Sequence, residues 1–421
     1  MLSRWRWHLL QIARTLWLRA LLYVLAGTAA ALVSLFMQPM VPTGMAGTIG
    51  SEAVYDLLNI IATSMLTVTT FSLGAMVAAY ASATNSVTPR ATRLLMQDPT
   101  SQNVLATFIG AFLFSLVGII ALSTGAYGER GRVVLFIITV GLIVVIVVAL
   151  LRWVEHLAHL GRVGETSARL ECTALEAMRQ RVETPNLGCD PYDPDTLDTA
   201  GLTAVIAPAT GYIQHIDIAA LQALCRPPVG RVYVCTPPGA FVHAGEPLAW
   251  FEGTAPPDET LGEIVEAFLI DAERSFDQDP RFGLCVLSEV ASRALSPAVN
   301  DPGTAIDIIG RATRVLLVAA EARAGGKAAS CPSVRVPALR PDNLFEDAFL
   351  PIARDSAGMI EVQLRLQKAL EALARTDDGP FREAARSLSR QALAYGLGAL
   401  SSETERTRLT RAAQRVGFPN A

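Results

Sequence analysis

The stretch Asp56–Gly74, DLLNIIATSMLTVTTFSLG, decides how the first half of this chain folds. It lies mostly in an uncharged apolar segment, residues 57–83, that is long enough to cross a hydrocarbon core, which takes about 20 helical residues. Its polar residues recur at steps of three and four, so the spacing predicts that they share one face of a helix. The residues on this face are Asp56, Asn59, Thr63, Thr67, Thr70 and Gly74.

This polar face has two interpretations, because isolated polar groups in hydrocarbon are costly and must turn toward protein or water. The first is helix packing, since small and hydroxylated residues let helices approach closely. The second is that the helix lines a water-filled pathway, with Asp56 at the outer mouth and Arg90 and Arg93 at the inner mouth. One such helix cannot enclose water, so the pathway requires a ring of identical subunits.

The charges along that pathway predict a slight preference for cations. In a ring of subunits the Asp56 carboxylates would lie close together, and rings of carboxylates attract cations. Arg90 and Arg93 would oppose the preference at the inner end.

Three further segments are apolar enough to cross a membrane, residues 16–37, 104–126 and 133–151. The whole chain is 51% hydrophobic and 18% charged, which is unusual for a soluble protein. The expected fold class is therefore an α-helical membrane protein with four transmembrane helices in residues 1–151, followed by a cytoplasmic α+β domain.

Charge divides the chain at the same place. Residues 1–151 hold eight arginines, no lysine and four acidic residues, a net charge of +4, so the total of −4 leaves −8 for residues 152–421. Nothing here forms the basic field that nucleic acid requires. Arginines cluster in the N-terminal arm, after the second segment and after the fourth. The positive-inside rule therefore places both termini in the cytoplasm.

The second half is expected to contain four parts. Residues 152–183 continue the helical pattern as a juxtamembrane stalk, and residues 184–200 are rich in Pro, Asp and Gly, which is typical of a linker. Residues 201–253 contain short strand-like runs bounded by Gly and Pro and form a small β module. Residues 254–421 are mainly helical, with an exposed loop expected over residues 322–342.

The β module resembles the barrel-sandwich fold of biotinyl and lipoyl carrier domains. The similar stretches are APATGYI at 207–213 and PPGAFVHAGEPL at 237–248. Those domains carry their cofactor on a hairpin lysine, whereas the two lysines here, Lys327 and Lys368, lie outside the module. The resemblance implies a barrel-sandwich-like shape without acylation, so no cofactor is expected.

Two polar motifs interrupt the helical part, DAERSFDQDP at 271–280 and SPAVNDPGTA at 296–305. Their carboxylates, amide and guanidinium have the chemistry to hold a divalent cation or a phosphate. The alternative is structural, with these groups capping and pinning two adjacent helices, as Asp301 followed by Pro302 predicts for a helix start. The candidate residues are Arg274, Asp277, Asp279, Asn300 and Asp301. The six cysteines lack metal-ligand spacing, so no metal site is expected.

Taken together, these features resemble the bacterial predicted membrane proteins grouped as domain of unknown function 2254. The hydroxyl-rich second helix, Gly211-Tyr212-Ile213, Phe282-Gly283-Leu284 and the 296–305 segment occur in the family's order, and the likeness covers nearly the whole chain. The resemblance implies the architecture and an inner-membrane location, but it supplies no catalytic residues.

The function expected from the residues is a homo-oligomeric inner-membrane ion channel or pore. Its partners would be the lipid bilayer, further copies of the chain and inorganic ions. The alternative is a membrane-anchored scaffold or sensor whose β module binds a partner or small ligand. An enzyme is not expected, because no phosphate-binding glycine loop, nucleophile elbow or His-Glu-x-x-His motif is present; an enzyme acting through the Arg274–Asp301 motifs is the third alternative.

Overall fold

The structure is a computed structural model that describes residues 16–36, 50–96, 98–225, 230–253, 257–321, 330–376 and 379–417. The chain divides into two compact units, which we call the membrane unit (Trp7–Thr166) and the C-terminal unit (Ser167–Ala421). The division lies 15 residues after the predicted end of the transmembrane part at residue 151. The helix of the fourth apolar segment continues to His159 and accounts for part of this difference.

The membrane unit is helical. Three of its helices, α2, α4 and α5, are long and apolar enough to cross a membrane. The predicted first segment, residues 16–37, folds as the 21-residue helix α1. The helix bounds are α1 Leu16–Phe36, α2 Ser51–Ser86, α3 Pro89–Met96, α4 Pro99–Ser123 and α5 Glu129–His159.

Helix α4 is the centre of the membrane unit, where it packs against α1, α2 and α5. Its crossing with α1 is close: a Cβ atom added to Gly27 would lie 2.7 Å from the Gly110 carbonyl oxygen. Phe114 of α4 is fully buried at this crossing, where its Cβ atom would lie 3.4 Å from the same added atom. Glycine at both positions is what lets the two backbones approach, as in other membrane helix pairs.

The predicted stalk is not one continuous helix. Helix α5 ends at His159, and a new helix, α6, runs over Val163–Glu183. Between them Gly161 has a φ of +83°, a left-handed conformation that favours glycine. A Cβ atom there would also lie 3.0 Å from the Ala79 carbonyl oxygen, so the turn is tight against α2.

The C-terminal unit contains two sheets. A five-stranded sheet has the order β1-β8-β4-β6-β2, with β8 parallel to both of its neighbours and the remaining pairs antiparallel. A three-stranded antiparallel sheet has the order β5-β3-β7. The strands are β1 Cys189–Tyr192, β2 Thr203–Ile206, β3 Gly211–Ile216, β4 Gly230–Val234, β5 Phe241–Val242, β6 Pro247–Gly253, β7 Phe268–Asp271 and β8 Cys331–Pro337.

These sheets differ from the small β module predicted over residues 201–253. Strand β1 lies in the predicted linker, β8 lies in the predicted loop, and β7 interrupts the predicted helical stretch. The buried Val334 of β8 pairs with the buried Val232 of β4, so β8 shares one core with the local strands. The observed arrangement is a sheet-containing domain with parallel pairs, not a self-contained local module.

Helices surround and follow the sheets. Short helices α7 (Ile218–Leu224) and α8 (Asp258–Glu266) lie among the strands. The rest form a bundle in which α9 packs on α10 and α11, and α12 packs on α10, α13 and α14. Their bounds are α9 Pro280–Ala294, α10 Pro302–Glu321, α11 Pro341–Asp355, α12 Ile360–Ala374, α13 Pro380–Ala399 and α14 Glu403–Gly417.

Candidate functional site

The six predicted residues of α2 form one narrow stripe along the helix. At 100° and 1.5 Å per residue, they fall within an arc of about 80° and span about 27 Å, close to the thickness of a hydrocarbon core. All six are exposed in the single chain. We call this set the polar stripe; it consists of Asp56, Asn59, Thr63, Thr67, Thr70 and Gly74.

The opposite side of α2 is the side that packs. Leu58, Ile61, Met65 and Met76 are buried in the cores that α2 forms with α4 and α5. Their positions centre about 180° from the polar stripe. The stripe therefore points away from the core of the membrane unit, and no part of the chain that the structure describes covers it.

The threonine hydroxyls of the polar stripe all donate inward, to their own helix. Thr63 Oγ1 donates to the Asn59 carbonyl at 2.8 Å, Thr67 Oγ1 to the Thr63 carbonyl at 2.9 Å, and Thr70 Oγ1 to the Leu66 carbonyl at 3.0 Å. Each hydroxyl has one proton, so what remains on the outer side is oxygen lone pairs. The stripe therefore presents acceptors, which suit water protons and cations.

The predicted inner-mouth residues lie on α3, directly after α2. Arg90 is exposed and Arg93 is half-buried, and both have interaction partners in the chain. The packed side of α3 is formed by Ala91, Thr92 and Leu95. Tyr80 of α2 donates its hydroxyl to the Leu95 carbonyl at 3.3 Å, which holds α3 against the end of α2.

A polar cluster joins the start of α4 to the end of α5; it consists of the buried Asp98 and Ser101 and the half-buried His156. Asp98 Oδ2 accepts from Ser101 N at 2.8 Å and Ser101 Oγ at 2.7 Å, and it lies 2.8 Å from His156 Nε2. Ser101 Oγ is 3.1 Å from the same Nε2 atom. A catalytic triad places the serine and the aspartate on different imidazole nitrogens. Here the serine and the aspartate both contact Nε2, which is not the arrangement of a catalytic triad. The cluster instead links the start of α4 to the end of α5.

Sequence reasoning missed this cluster because its members are far apart in the chain. Asp98 followed by Pro99 is a helix-start signal that the sequence does contain, and Asp98 is the N-cap of α4. No spacing rule brings His156 to it, since that contact depends on how α5 packs against α4.

In the C-terminal unit, the half-buried Arg274 forms an ion pair with the buried Asp279. Arg274 Nε and one terminal nitrogen donate to Asp279 Oδ2 at 2.9 and 2.6 Å. Asp279 Oδ1 accepts from the backbone of Arg281 and Phe282 at 3.1 and 3.2 Å, which caps α9. The guanidinium also lies 4.8 Å from the centre of the Phe282 ring. Both carboxylate oxygens of Asp279, a residue that is 1% exposed, therefore have partners within the chain.

The other three candidate residues have local roles. Asp277 Oδ2 accepts from Ser275 Oγ at 3.1 Å in a turn before α9. Asp301 caps α10, accepting from Thr304 N at 3.0 Å and Thr304 Oγ1 at 2.6 Å, and Asn300 before it has a φ of +50°. Asn300 and Asp301 are exposed.

The five residues lie at opposite ends of α9. Arg274, Asp277 and Asp279 precede its start, whereas Asn300 and Asp301 follow its end, and the helix has 15 residues, or about 22 Å. They do not converge on one ligand. Within the described residues no group of three or more His, Cys, Asp or Glu is placed to hold a metal ion.

A second ion-pair group in the C-terminal unit was also outside the sequence prediction. Glu171 of α6 accepts from Arg311 at 2.8 Å and from Arg314 at 2.5 and 2.9 Å, both on α10. Burial raises the pKa of Glu171, but the two guanidinium groups outweigh it, so the pKa lies below its ordinary value. The group ties α6 to the helical bundle.

Aromatic side chains meet on the surface of the three-stranded sheet. The ring of Phe241 lies 4.9 Å from that of Tyr212 and 5.2 Å from that of His243. Phe241 is 48% exposed, a high value for a phenylalanine.

Comparison with known proteins agrees with the architecture. A family described as "Predicted membrane protein (DUF2254)" matches residues 13–372. Uncharacterized proteins of Mycobacterium bovis and Mycobacterium tuberculosis are each 27% identical over 265 residues, which is 60% of this chain and 50% of theirs. This chain thus aligns with about half the length of those relatives. No solved structure matches it. With the family model covering most of the sequence, the chain belongs to the DUF2254 family of predicted membrane proteins.

Proposed function

We propose that this protein is a homo-oligomeric ion channel or pore of the bacterial inner membrane, with α2 lining the pathway. One observation carries the proposal. The polar stripe is exposed in the subunit and lies opposite the side of α2 that packs. Packing within the subunit therefore does not explain why the hydroxyls share one face.

The proposed topology has four crossings. Helices α2, α4 and α5 are long and apolar enough to cross a membrane. We include α1 as the fourth, because its 21 residues, or about 31 Å, match the hydrocarbon thickness. An even number of crossings puts both termini on one side. The arginine distribution assigns that side to the cytoplasm.

Assembly of several copies follows from the cost of polar groups in lipid. Asp56 and Asn59 carry polar atoms that hydrocarbon does not satisfy. In a ring of subunits every stripe turns toward a common axis, where water hydrates it. Large apolar side chains on either side of the stripe, such as Tyr55, Leu66 and Phe71, then make contacts with neighbouring subunits or lipid.

The direction of the hydroxyl groups favours cations. Their protons are committed to the helix backbone, so the pathway is lined by acceptor oxygens. A ring of Asp56 carboxylates at the outer end adds negative charge. Permeation is then diffusion along a hydrated wall of weak oxygen sites.

The test is conductance of the purified protein in planar bilayers, compared with Thr67→Leu and Thr70→Leu. Leucine removes the acceptor oxygen and dries the wall, so we expect both variants to lose most of the current. Ser64→Leu is the matched control, because Ser64 is exposed on the same helix but lies outside the arc of the stripe. A monomer in mild detergent, or equal currents in all four proteins, would contradict the proposal.

A membrane-anchored scaffold or sensor is the second candidate, and the exposed aromatic group of Tyr212, Phe241 and His243 favours it. An exposed aromatic surface is typical of binding sites for partners or small ligands. In that case the protein would not conduct ions. Phe241→Ala would abolish recruitment of the partner or ligand, whereas Thr67→Leu would leave recruitment unchanged.

A further inference from the structure

We infer that the last helix of one subunit, α14, binds helix α8 of the neighbouring subunit through opposite charges. This contact rests on the proposed assembly of identical subunits and adds where two of them meet. Both helices belong to the C-terminal unit, so the contact does not depend on which ion passes through the membrane.

The end of the chain is basic, although the C-terminal half as a whole is acidic. Residues 380–421 hold seven arginines and three glutamates, a net charge of +4. The total of −8 for residues 152–421 therefore leaves −12 for residues 152–379. Surfaces of opposite sign on one chain attract each other between copies of that chain.

Three exposed arginines lie together on α14. Counted at 100° per residue, they fall within an arc of about 60°. We call this set the basic face; it consists of Arg408, Arg411 and Arg415. Arg415 Nε lies 3.8 Å from Glu371 of its own chain. In the part of the chain that the structure describes, no ion pair or side-chain hydrogen bond involves Arg408 or Arg411.

Helix α8 carries a complementary set of charges. It holds four acidic residues and no basic residue in nine positions. Three of the acidic residues are exposed within an arc of about 60°; we call them the acidic face, which consists of Glu259, Glu263 and Glu266. Glu266 also has an interaction within its own chain. The opposite side of α8 packs on the core of the sheets through Leu261, Ile264 and Val265.

The spacings of the two faces match when the helices run antiparallel. Along α14 the arginines are separated by three and then four positions, and along α8 the glutamates are separated by four and then three. At 1.5 Å per residue each face is about 10.5 Å long. Antiparallel contact therefore pairs Arg415 with Glu259, Arg411 with Glu263 and Arg408 with Glu266.

The two faces belong to different parts of the C-terminal unit. Helix α8 packs on α7, β2 and β7, whereas α14 packs on α12 and α13. A contact between two different surfaces is heterologous, and heterologous contacts can repeat around a closed ring. Exposed ion pairs are individually weak, so this contact adds to an assembly that the membrane unit also holds.

The test is carbodiimide cross-linking of full-length Arg411→Lys in mild detergent. Carbodiimide joins a lysine amine to a carboxylate that contacts it, whereas a guanidinium does not react. The chain has only two lysines, Lys327 and Lys368, so few other amines compete. We expect covalent dimers and larger products that the wild type does not form, and mass spectrometry of their peptides should find residue 411 joined to Glu263.

Two further variants and a salt series make the result specific. Arg406→Lys is the matched control, because Arg406 lies on the same helix about 160° from Arg408 and outside the basic face, and we expect it to behave as the wild type. Adding Glu263→Gln to Arg411→Lys should remove the cross-linked products, since their carboxylate is lost. Raising the salt concentration should lower their yield, because salt screens exposed charges.

Particle size in the same detergent separates failure of this contact from failure of the assembly. An oligomer in which Arg411→Lys gives no more covalent product than the wild type would overturn the contact alone. A bond from residue 411 to a carboxylate outside α8 of another subunit would overturn it as well. A monomer would overturn the proposed assembly, and the contact with it.

Discussion

At the scale of single residues, buried charges in the C-terminal unit are held by several partners at once. Asp279 meets Arg274 and two backbone amides, and it lies under Gly239, whose φ is +88°. A Cβ atom at residue 239 would lie 2.0 Å from Asp279 Oδ2. The ion pair therefore occupies a space that only glycine leaves open, which is a structural role and not that of a ligand site.

Replacing Asp279 by alanine should destabilise the protein strongly. The change leaves the half-buried Arg274 guanidinium without its carboxylate and removes the cap of α9. Losing one partner of a fully buried pair costs about 3–5 kcal/mol, so we expect a loss toward the lower end of that range. Asp277→Ala is the control, because Asp277 is half-buried and its carboxylate accepts from Ser275 Oγ in the turn before α9, and we expect less than about 1 kcal/mol. Thermal unfolding of the full-length protein in detergent measures the difference. Equal melting temperatures for the two variants would contradict this account.

Glu171 should make stability depend on pH. Its folded pKa lies below the ordinary value, so its contribution is present at neutral pH and is lost as the pH falls through the folded pKa. We expect Glu171→Gln to melt below the wild type at pH 7, and the gap to close as the pH falls below the ordinary glutamate pKa of about 4.3 and through the lower folded pKa. Glu346→Gln, an exposed carboxylate on α11, should follow the wild type throughout. A constant gap between Glu171→Gln and the wild type at all pH values would show that the ion pairs are not the cause.

At the scale of helices and strands, elements with local periodicity could be predicted from the sequence, whereas pairing between distant segments could not. The steps of three and four over Asp56–Gly74 are enough to predict α2 and its polar stripe, since helix geometry is local. Strand β8 was missed because its neighbours in the sheet, β1 and β4, lie about 140 and 100 residues away in sequence. The meeting of Asp98 with His156 is hidden for the same reason.

Helix crossings depend on glycine, and the α1–α4 crossing should be sensitive to it. A Cβ atom on Gly110 would lie 3.0 Å from the Tyr23 carbonyl oxygen, so Gly110→Val must push the two helices apart, at a cost of about 1–3 kcal/mol. Gly141→Val on α5 is the matched control, because nothing lies within 4 Å of its added Cβ atom. Melting temperatures in detergent compare the two, and equal values would mean that α1 does not pack as described.

At the scale of the whole molecule, the exposed polar stripe of α2 is the feature that leads us to propose an assembly of several copies. The α2 helix buries one side against α4 and α5 and leaves acceptor oxygens on the other. The near-neutral total charge of −4 conceals an uneven distribution of charge, since it is the sum of +4 in residues 1–151 and −8 in residues 152–421.

Neutralising the outer carboxylate should reduce cation preference. In bilayers with a salt gradient, Asp56→Asn is expected to move the reversal potential toward zero, because the ring of charge at the mouth is lost. Glu129→Gln is the control: Glu129 is exposed at the start of α5, on the same side but off the stripe. If the two variants keep the same reversal potential as the wild type, Asp56 does not act on permeating ions.

The most direct test of the central claim is the pattern of cysteine modification along α2. Cysteines placed singly at 63, 64, 67, 68 and 70 are treated with a membrane-impermeant thiol reagent, and the reaction rates are compared. The pore predicts fast modification at 63, 67 and 70 and slow modification at 64 and 68, following the turns of the helix. Uniform protection of all five positions, or faster modification at 64 and 68, would contradict it.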